Sequence, residues 1–139
     1  MSRARQVLRA LDRERTELSL SLVADPEMRK LNRTYRRKNR ATDVLAFPLH
    51  VPPIPDEARS LGDVVISIDT AAAAAAEQGR PLAACLDDLV IHGVLHLLGY
   101  DHEISAAEER RMARRARAVR SALAASAAPP VPRASRAVP

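Results

Sequence analysis

The sequence predicts an α+β fold, and three observations carry that expectation. Short runs of strand character are interspersed with longer stretches of helical periodicity, proline and glycine punctuate the boundaries, and one nearly all-apolar helical stretch has the composition of a buried central helix. The 139 residues, 47% hydrophobic and 28% charged, suit one compact core. A single domain is expected over residues 1–124, followed by a disordered, Ala- and Pro-rich tail over residues 125–139.

Residues 3–15 place Val7, Leu8 and Leu11 among charges, which reads as a weak amphipathic helix. Leu18, Leu20 and Leu22 then alternate with Ser19 and Ser21, the pattern of a half-buried strand. Asp25 followed by Pro26 marks a helix start, with Asp25 as N-cap and proline in the first helical position; Met28, Leu31 and Tyr35 recur behind it at helical spacing, with the Arg and Lys residues outward. The runs Thr42 to Leu49 and Leu61 to Asp69 read as strands joined by a Pro-rich loop from His50 to Ser60. Asp69 or Thr70 can cap a helix from Ala71 to Gln78 that Gly79 stops. Pro81 opens the next helix, which runs through Leu98 to Gly99 and is apolar nearly all round from Leu89 onward. Ser105 and Glu108 form a capping box for a last, Arg-rich helix reaching about Ala124.

Composition removes several function classes. Aromatic residues are 2% of the chain and there is no tryptophan, so base stacking on an aromatic platform is not expected. Cys85, the only cysteine, excludes an internal disulfide and a Cys-rich zinc finger, fits a reducing compartment, and reads as a small buried apolar residue. No apolar run long enough to span a bilayer and no signal-peptide core is present, so a soluble cytoplasmic protein without a membrane partner is expected. The 22 Lys and Arg against 17 Asp and Glu give a formal charge of +5, concentrated between Arg29 and Arg40 and again between Arg110 and Arg120. Such clusters suit a polyphosphate partner, while solvated Arg-rich helix faces remain the alternative.

Three of the four histidines fall within His92-Gly-Val-Leu-His96-Leu-Leu-Gly99-Tyr-Asp-His102. Four residues apart on a helix, His92 and His96 project from one face about 6 Å apart along the axis, close enough to share one metal ion. Gly99 can end the helix in a left-handed conformation and let His102 return to the same ion. Three imidazoles leave one coordination position open, as in catalytic zinc sites, and imidazole ligation favours zinc, one ion per chain, over nickel, copper or iron. Asp101 either orients a ligand imidazole or caps the turn. Asp43 and Asp63 read as turn or cap residues that could approach the metal, and His50 reads as a solvated loop residue.

The spacing resembles the H-E-x-x-H-x-x-G-x-x-H array of the metzincin proteases, but Gly93 stands where they carry the glutamate that takes the proton from zinc-bound water. Peptide hydrolysis is thereby demoted. A Lewis-acid role on a phosphodiester is promoted.

The block HGVLHLLGYDH, with LNRTYRRKNRATDVLAFP at Leu31 to Pro48 and LGDVVIS at Leu61 to Ser67, resembles the bacterial YbeY family of zinc-dependent endoribonucleases and ribosomal RNA maturation factors. The resemblance implies helices packed on a small mixed sheet around the central helix, with a three-histidine metal site. It also implies cleavage of single-stranded RNA in ribosomal RNA maturation, at the 3′ end of the small-subunit RNA, and in ribosome quality control. His92, His96 and His102 fall on the family's metal ligands, and Arg36 falls on its functionally important arginine. A guanidinium there can hold the scissile phosphate bidentately and stabilise the added charge of the transition state. Arg36 and His92 are thus the expected catalytic residues, with single-stranded ribosomal RNA, the ribosome and its associated proteins as partners and no role for DNA.

The chain departs from the family in two places. Family members begin with an apolar strand ahead of the first helix, so here a sheet strand is missing or the true start lies upstream of Met1; the tail also lacks the usual family ending. Two other functions remain open at this point: a metallohydrolase of peptidase type, and a non-catalytic ribosome-associated RNA-binding protein with structural zinc.

Overall fold

The computed structural model describes residues 3–11, 13, 17–48, 60–100 and 105–127. Residues 49–59, with His50 and nearly all of the expected Pro-rich loop, lie outside the described residues, as do residues 101–104, with Asp101 and His102, and residues 128–139 of the expected tail. The described elements are α1 (Arg3–Ala10), β1 (Glu17–Val23), α2 (Asp25–Arg36), β2 (Val44–Pro48), β3 (Ser60–Ser67), α3 (Ile68–Gln78), α4 (Leu82–Leu97) and α5 (Ala106–Ala127). The fold is α+β, with five helices and one three-stranded mixed sheet among the described residues.

The strand order is β1-β3-β2, with β1 parallel and β2 antiparallel to the central β3. Alternation along β3 divides the core between the two faces of the sheet. Val64 and Ile66 point to the face covered by α4, with α1 and α5 behind it, and join Val7, Leu8, Val90, Ile91, Val94 and Leu95 in the larger apolar cluster. Val65 points to the opposite face and packs with Leu45 and with Met28 of α2.

The helix α4 approaches β3 closely because residue 93 is glycine. A β-carbon at Gly93 would lie 2.6 Å from Val64 Cγ1 and 3.0 Å from its Cγ2. Val90, Ile91, Val94 and Leu95 are buried around this contact, which makes α4 the central helix its composition suggests. At the far end, Gly99 turns the chain with φ of 101°, and the Tyr100 amide returns to the Leu95 carbonyl at 3.0 Å. The Arg111 guanidinium of α5 lies 4.2 Å from the Tyr100 ring centre and holds that turn against the last helix.

Several local expectations hold. Ser105 Oγ accepts from the Glu108 amide at 3.1 Å, α3 stops at Gly79, and Cys85 is buried. Others are corrected. The first helix ends at Ala10 rather than running on toward residue 15, and α5 continues to Ala127, past the expected end near Ala124. Tyr35 is 65% exposed and meets Phe47 edge to face at 5.2 Å, so the buried side of α2 is Met28 and Asn32. The strand β1 is less buried than its alternation suggests: α4 lies over β2 and β3, leaving Leu20 and Leu22 at the sheet edge 38% and 56% exposed.

Asp25 does not cap its own helix. Its carboxylate accepts from Ser67 Oγ at 2.5 Å and from Thr70 Oγ1 at 2.6 Å, while Asp69 Oδ2 accepts from the Asp25 amide at 2.9 Å. Ser67 rather than Asp69 or Thr70 is the N-cap of α3, accepting from the Thr70 amide at 3.2 Å. Asp69 of α3 thus caps the first amide of α2, and the Asp25 side chain ties the two helix starts together through the Ser67 and Thr70 hydroxyls. The Ser67 hydroxyl, followed by that of Thr70, holds the Asp25 carboxyl below the usual carboxylate range.

Two outcomes follow from this packing. Gly93→Ala overpacks the helix–sheet contact and lowers unfolding stability in urea by about 1–3 kcal/mol, with a smaller loss in a Val64→Ala background. Because the Asp25 carboxyl is depressed in the folded state, its contribution is fully present above the unfolded carboxylate pKa and is lost as pH falls through the lowered folded value. Asp25→Asn is accordingly less stable than the parent protein at neutral pH, and urea midpoints measured from pH 7 downward converge in acid.

Candidate active site

The helical spacing of His92 and His96 places both imidazoles on the side of α4 that faces β2. The rings are half-buried, with centroids 4.7 Å apart and planes at 64°. An imidazole nitrogen reaches zinc at about 2.0–2.1 Å, so rings at this separation lie within the span that one ion can bridge. Neutral imidazoles in this arrangement suit a borderline ion such as zinc. The expected third ligand, His102, lies outside the described residues, and among the described residues no group of three His, Cys, Asp or Glu side chains converges on one point.

The imidazoles open into a polar cleft of about 320 Å³ whose facing wall comes from α2 and the segment leading into β2. Arg36 and Asn32 contribute from α2, Lys38 and Arg40 from the turn that follows, and Asp43, Val44 and Ala46 from the approach to β2 and the strand itself. Arg36 and the histidine pair, 56 residues apart in sequence at the nearer histidine, thus share one cavity. Val44 and Ala46 lie opposite Ile66 and Val64 in the sheet register, on the α4 face, which puts the floor of the cleft beside the Gly93–Val64 contact.

The turn after α2 brings the basic side chains round to this cleft. Arg37 adopts a left-handed conformation, with φ of 60°, and its amide and that of Lys38 bond back to Arg33 and Asn32 carbonyls at 3.1 and 3.3 Å. Asn32, almost fully buried, donates through Nδ2 to the Arg40 carbonyl at 2.9 Å and so fixes the segment carrying Lys38 and Arg40. Among the described residues no carboxylate pairs with Arg36, Lys38 or Arg40. The result is concentrated positive charge opposite two imidazoles, an arrangement that attracts an anionic group into the cleft.

Of the carboxylates considered from sequence, Asp43 lines the cleft, whereas Asp63 shares the parity of Val65 along β3 and is exposed on the other side of the sheet. Asn32, Lys38, Arg40 and Thr42 were not singled out individually by sequence reasoning. The basic cluster was the signal for Lys38 and Arg40, and none pointed to the neutral Asn32 and Thr42, because the convergence of these four on the cleft depends on the left-handed turn at Arg37. Gly93 closes the position of a metzincin-like glutamate sterically: there is no room for even a β-carbon against Val64.

Among the described residues no helix is long and apolar enough to cross a membrane. The fold is similar to the solution structure of TM1509 from Thermotoga maritima, with a TM-score of 0.57 over 90% of this chain and 83% of that one at 23% identity. The sequence is 53% identical over 114 residues to an Endoribonuclease YbeY of Anaeromyxobacter dehalogenans, covering 82% of this chain and 58% of the relative. A relative from Aquifex aeolicus with the same name is 45% identical over 111 residues, covering 78% of this chain and 71% of that one, and a chloroplastic one from Arabidopsis thaliana is 48% identical over 99 residues, covering 71% and 17%. The chain thus spans somewhat under three fifths of the length of the Anaeromyxobacter relative. Residues 2–124, which include α2, the sheet and the histidine-bearing helix, match the family described as Endoribonuclease YbeY, and with these identities they establish that the chain belongs to the YbeY family.

Proposed function

We propose that this cleft cleaves phosphodiester bonds of single-stranded RNA in ribosomal RNA maturation, including the 3′ end of the small-subunit RNA, and in ribosome quality control. The observation that carries this reading is the convergence of His92, His96 and Arg36 on one cleft. The endoribonuclease names of the relatives support it. Residues 1–124 would act as one unit in the cytoplasm, with the ribosome and its associated proteins as partners and without DNA or a membrane.

His92 and His96 would hold a zinc ion together with His102. Zinc bound there supplies Lewis-acid stabilisation of the charge that grows on the phosphodiester. The remaining chemistry belongs to the chain. Arg36 presents a planar fork of donors, so it holds two phosphate oxygens at once and tightens on them as negative charge accumulates. Lys38 and Arg40 raise the local positive potential and draw the strand in. Asn32 keeps that wall in place through the Arg40 carbonyl. Asp43, the only carboxylate among the described lining residues, is the available acceptor for a proton released by the nucleophile.

A peptidase reading has no support from the cleft, since the general-base position of the metzincin array is occupied by the Gly93–Val64 contact. The test is a gel assay on single-stranded ribosomal RNA beside elemental analysis of the purified protein. The parent protein carries about one zinc per chain and cleaves; His92→Ala, His96→Ala loses most of the metal and at least 100-fold in cleavage rate while retaining its helical circular dichroism. Arg36→Ala keeps the metal and loses about 10²–10³-fold in rate, by analogy with removal of a transition-state donor, and Arg36→Lys recovers only part of it. Equal cleavage by the parent and the double variant would overturn the proposal.

A further inference from the structure

A second, larger groove of about 870 Å³ lies along α2, lined by Asp25 and Pro26 at the start of the helix, Arg29, Lys30 and Arg33 along it, and Asn39, Arg40 and Ala41 beyond its end. Pro26, Arg29, Lys30 and Arg33 share one stripe of the helix by their spacing of three and four, and Arg36 lies three residues further along on the same side. The stripe from Arg29 to Arg36 is about 10 Å long at the helical rise. Arg40 lines both this groove and the histidine cleft, so the two cavities meet at one side chain.

The charges in the groove are not neutralised by the fold. Arg29 Nε donates to the neutral Asn39 side chain at 2.9 Å, which holds the guanidinium over the groove without cancelling it. Among the described residues Lys30, Arg33 and Arg40 have no acidic partner; the one carboxylate of the groove, Asp25, stays charged but lies at the start of the helix, bonded to Ser67 and Thr70, and leaves the groove positive against Arg29, Lys30, Arg33 and Arg40. Two arginines of α5 differ: Arg111 pairs with Glu108 and covers Tyr100, and Arg120 reaches Asp88. Arg110, Arg114 and Arg117 of α5 are exposed and without an acidic partner among the described residues, but they line neither this groove nor the cleft; the cations of α2 lie along a groove that meets the candidate active site at Arg40.

We infer that the Arg29–Arg33 groove is an extended subsite that holds the phosphates of a single RNA strand on one side of the bond to be cut, with Arg40 as the junction. For its ligand the inference rests on the RNA-cleaving reading of the histidine cleft. The line of cations along α2 is about 10 Å long and meets the cleft at Arg40, so a strand seated in the cleft can continue along it. No ring lines the groove, so it grips backbone phosphates and does not read bases; binding through it is indifferent to sequence and steeply salt-dependent. The groove therefore favours long strands over short ones without selecting the cleavage site.

The test compares fluorescence-anisotropy binding of a 2′-O-methyl trinucleotide and a 2′-O-methyl dodecanucleotide over a salt series. Arg29→Gln, Arg33→Gln removes two cations from exposed positions of the groove, and Arg114→Gln, Arg117→Gln removes the same charge from exposed positions of α5. The groove variant raises the Kd of the dodecanucleotide about tenfold near physiological salt and reduces the slope of log K against log salt by about 1.4, the value for two single-strand phosphates. It changes trinucleotide binding less than twofold, and Arg29→Lys, Arg33→Lys restores most of the loss. The α5 variant changes both ligands less than twofold. Equal losses in the groove and α5 variants would mean net charge alone, equal losses for both ligands would make the groove part of the cleft, and no loss would leave it empty of RNA; each overturns the inference. A parent protein that binds the long strand through the groove but cleaves no better than the His92→Ala, His96→Ala variant would instead sink the nuclease reading and leave the groove standing.

Discussion

The close approach of α4 to β3 at Gly93 is the constraint on which the rest of the structure depends. A glycine between His92 and Val94 removes the side chain that would prop the helix off the sheet, and Val64 fills the space. The same contact sets the rotation of α4: with residue 93 pressed on Val64 and with Ile91 and Val94 in the core, residues 92 and 96 turn toward β2 and the cleft beside it. A helix with a larger residue at this position would sit further out and carry both imidazoles with it. Burial of apolar surface around the contact thus aims the chemistry as well as stabilising the fold.

The other half of the site reaches the cleft from the opposite face of the sheet. The helix α2 packs through Met28 against Leu45 and Val65, and the left-handed residue Arg37 then sends the chain round the sheet edge. A non-glycine residue with positive φ is uncommon, and strain at such a position persists only when its surroundings over-determine it. Here the back-bonds to Arg33 and Asn32 and the Asn32–Arg40 contact do so. The Asp69 cap on the Asp25 amide and the Ser67–Asp25 side-chain bond hold the other end of the same helix. Arg36 is therefore carried by a segment anchored at both ends, as a residue that must meet a phosphate in fixed geometry requires.

Much of this was legible in the sequence where the signal is local. The histidine pair, the helix stops at Gly79 and Gly99, the Ser105 cap and the existence of each strand all follow from spacing or from residues with strong backbone preferences. The misreadings involve partners distant in the chain. Asp25 before Pro26 looks like an N-cap, but better donors stand at Ser67 and Thr70, more than forty residues away. Tyr35 has the spacing of a core residue, but by that point α2 has passed the edge of the sheet and only Phe47 meets its ring. Gly93 was readable as the loss of a glutamate, and its positive reason, the Val64 contact, exists only once helix and strand are packed. Charge patterning showed two arginine clusters, and only the packed fold shows that the α2 cluster lines a groove beside the histidine cleft while that of α5 pairs in part with Glu108 and Asp88.

The central claim is that the imidazole pair and Arg36, brought from opposite faces of one sheet, act on a single phosphodiester as one site. A double-mutant cycle on RNA cleavage, comparing His92→Ala, Arg36→Ala and the two combined, tests this most directly. Residues that act as a unit lose activity non-additively, so the combined variant should be no more than a few-fold slower than the worse single variant. Losses that multiply across the cycle would show that the two groups contribute independently and would contradict the account.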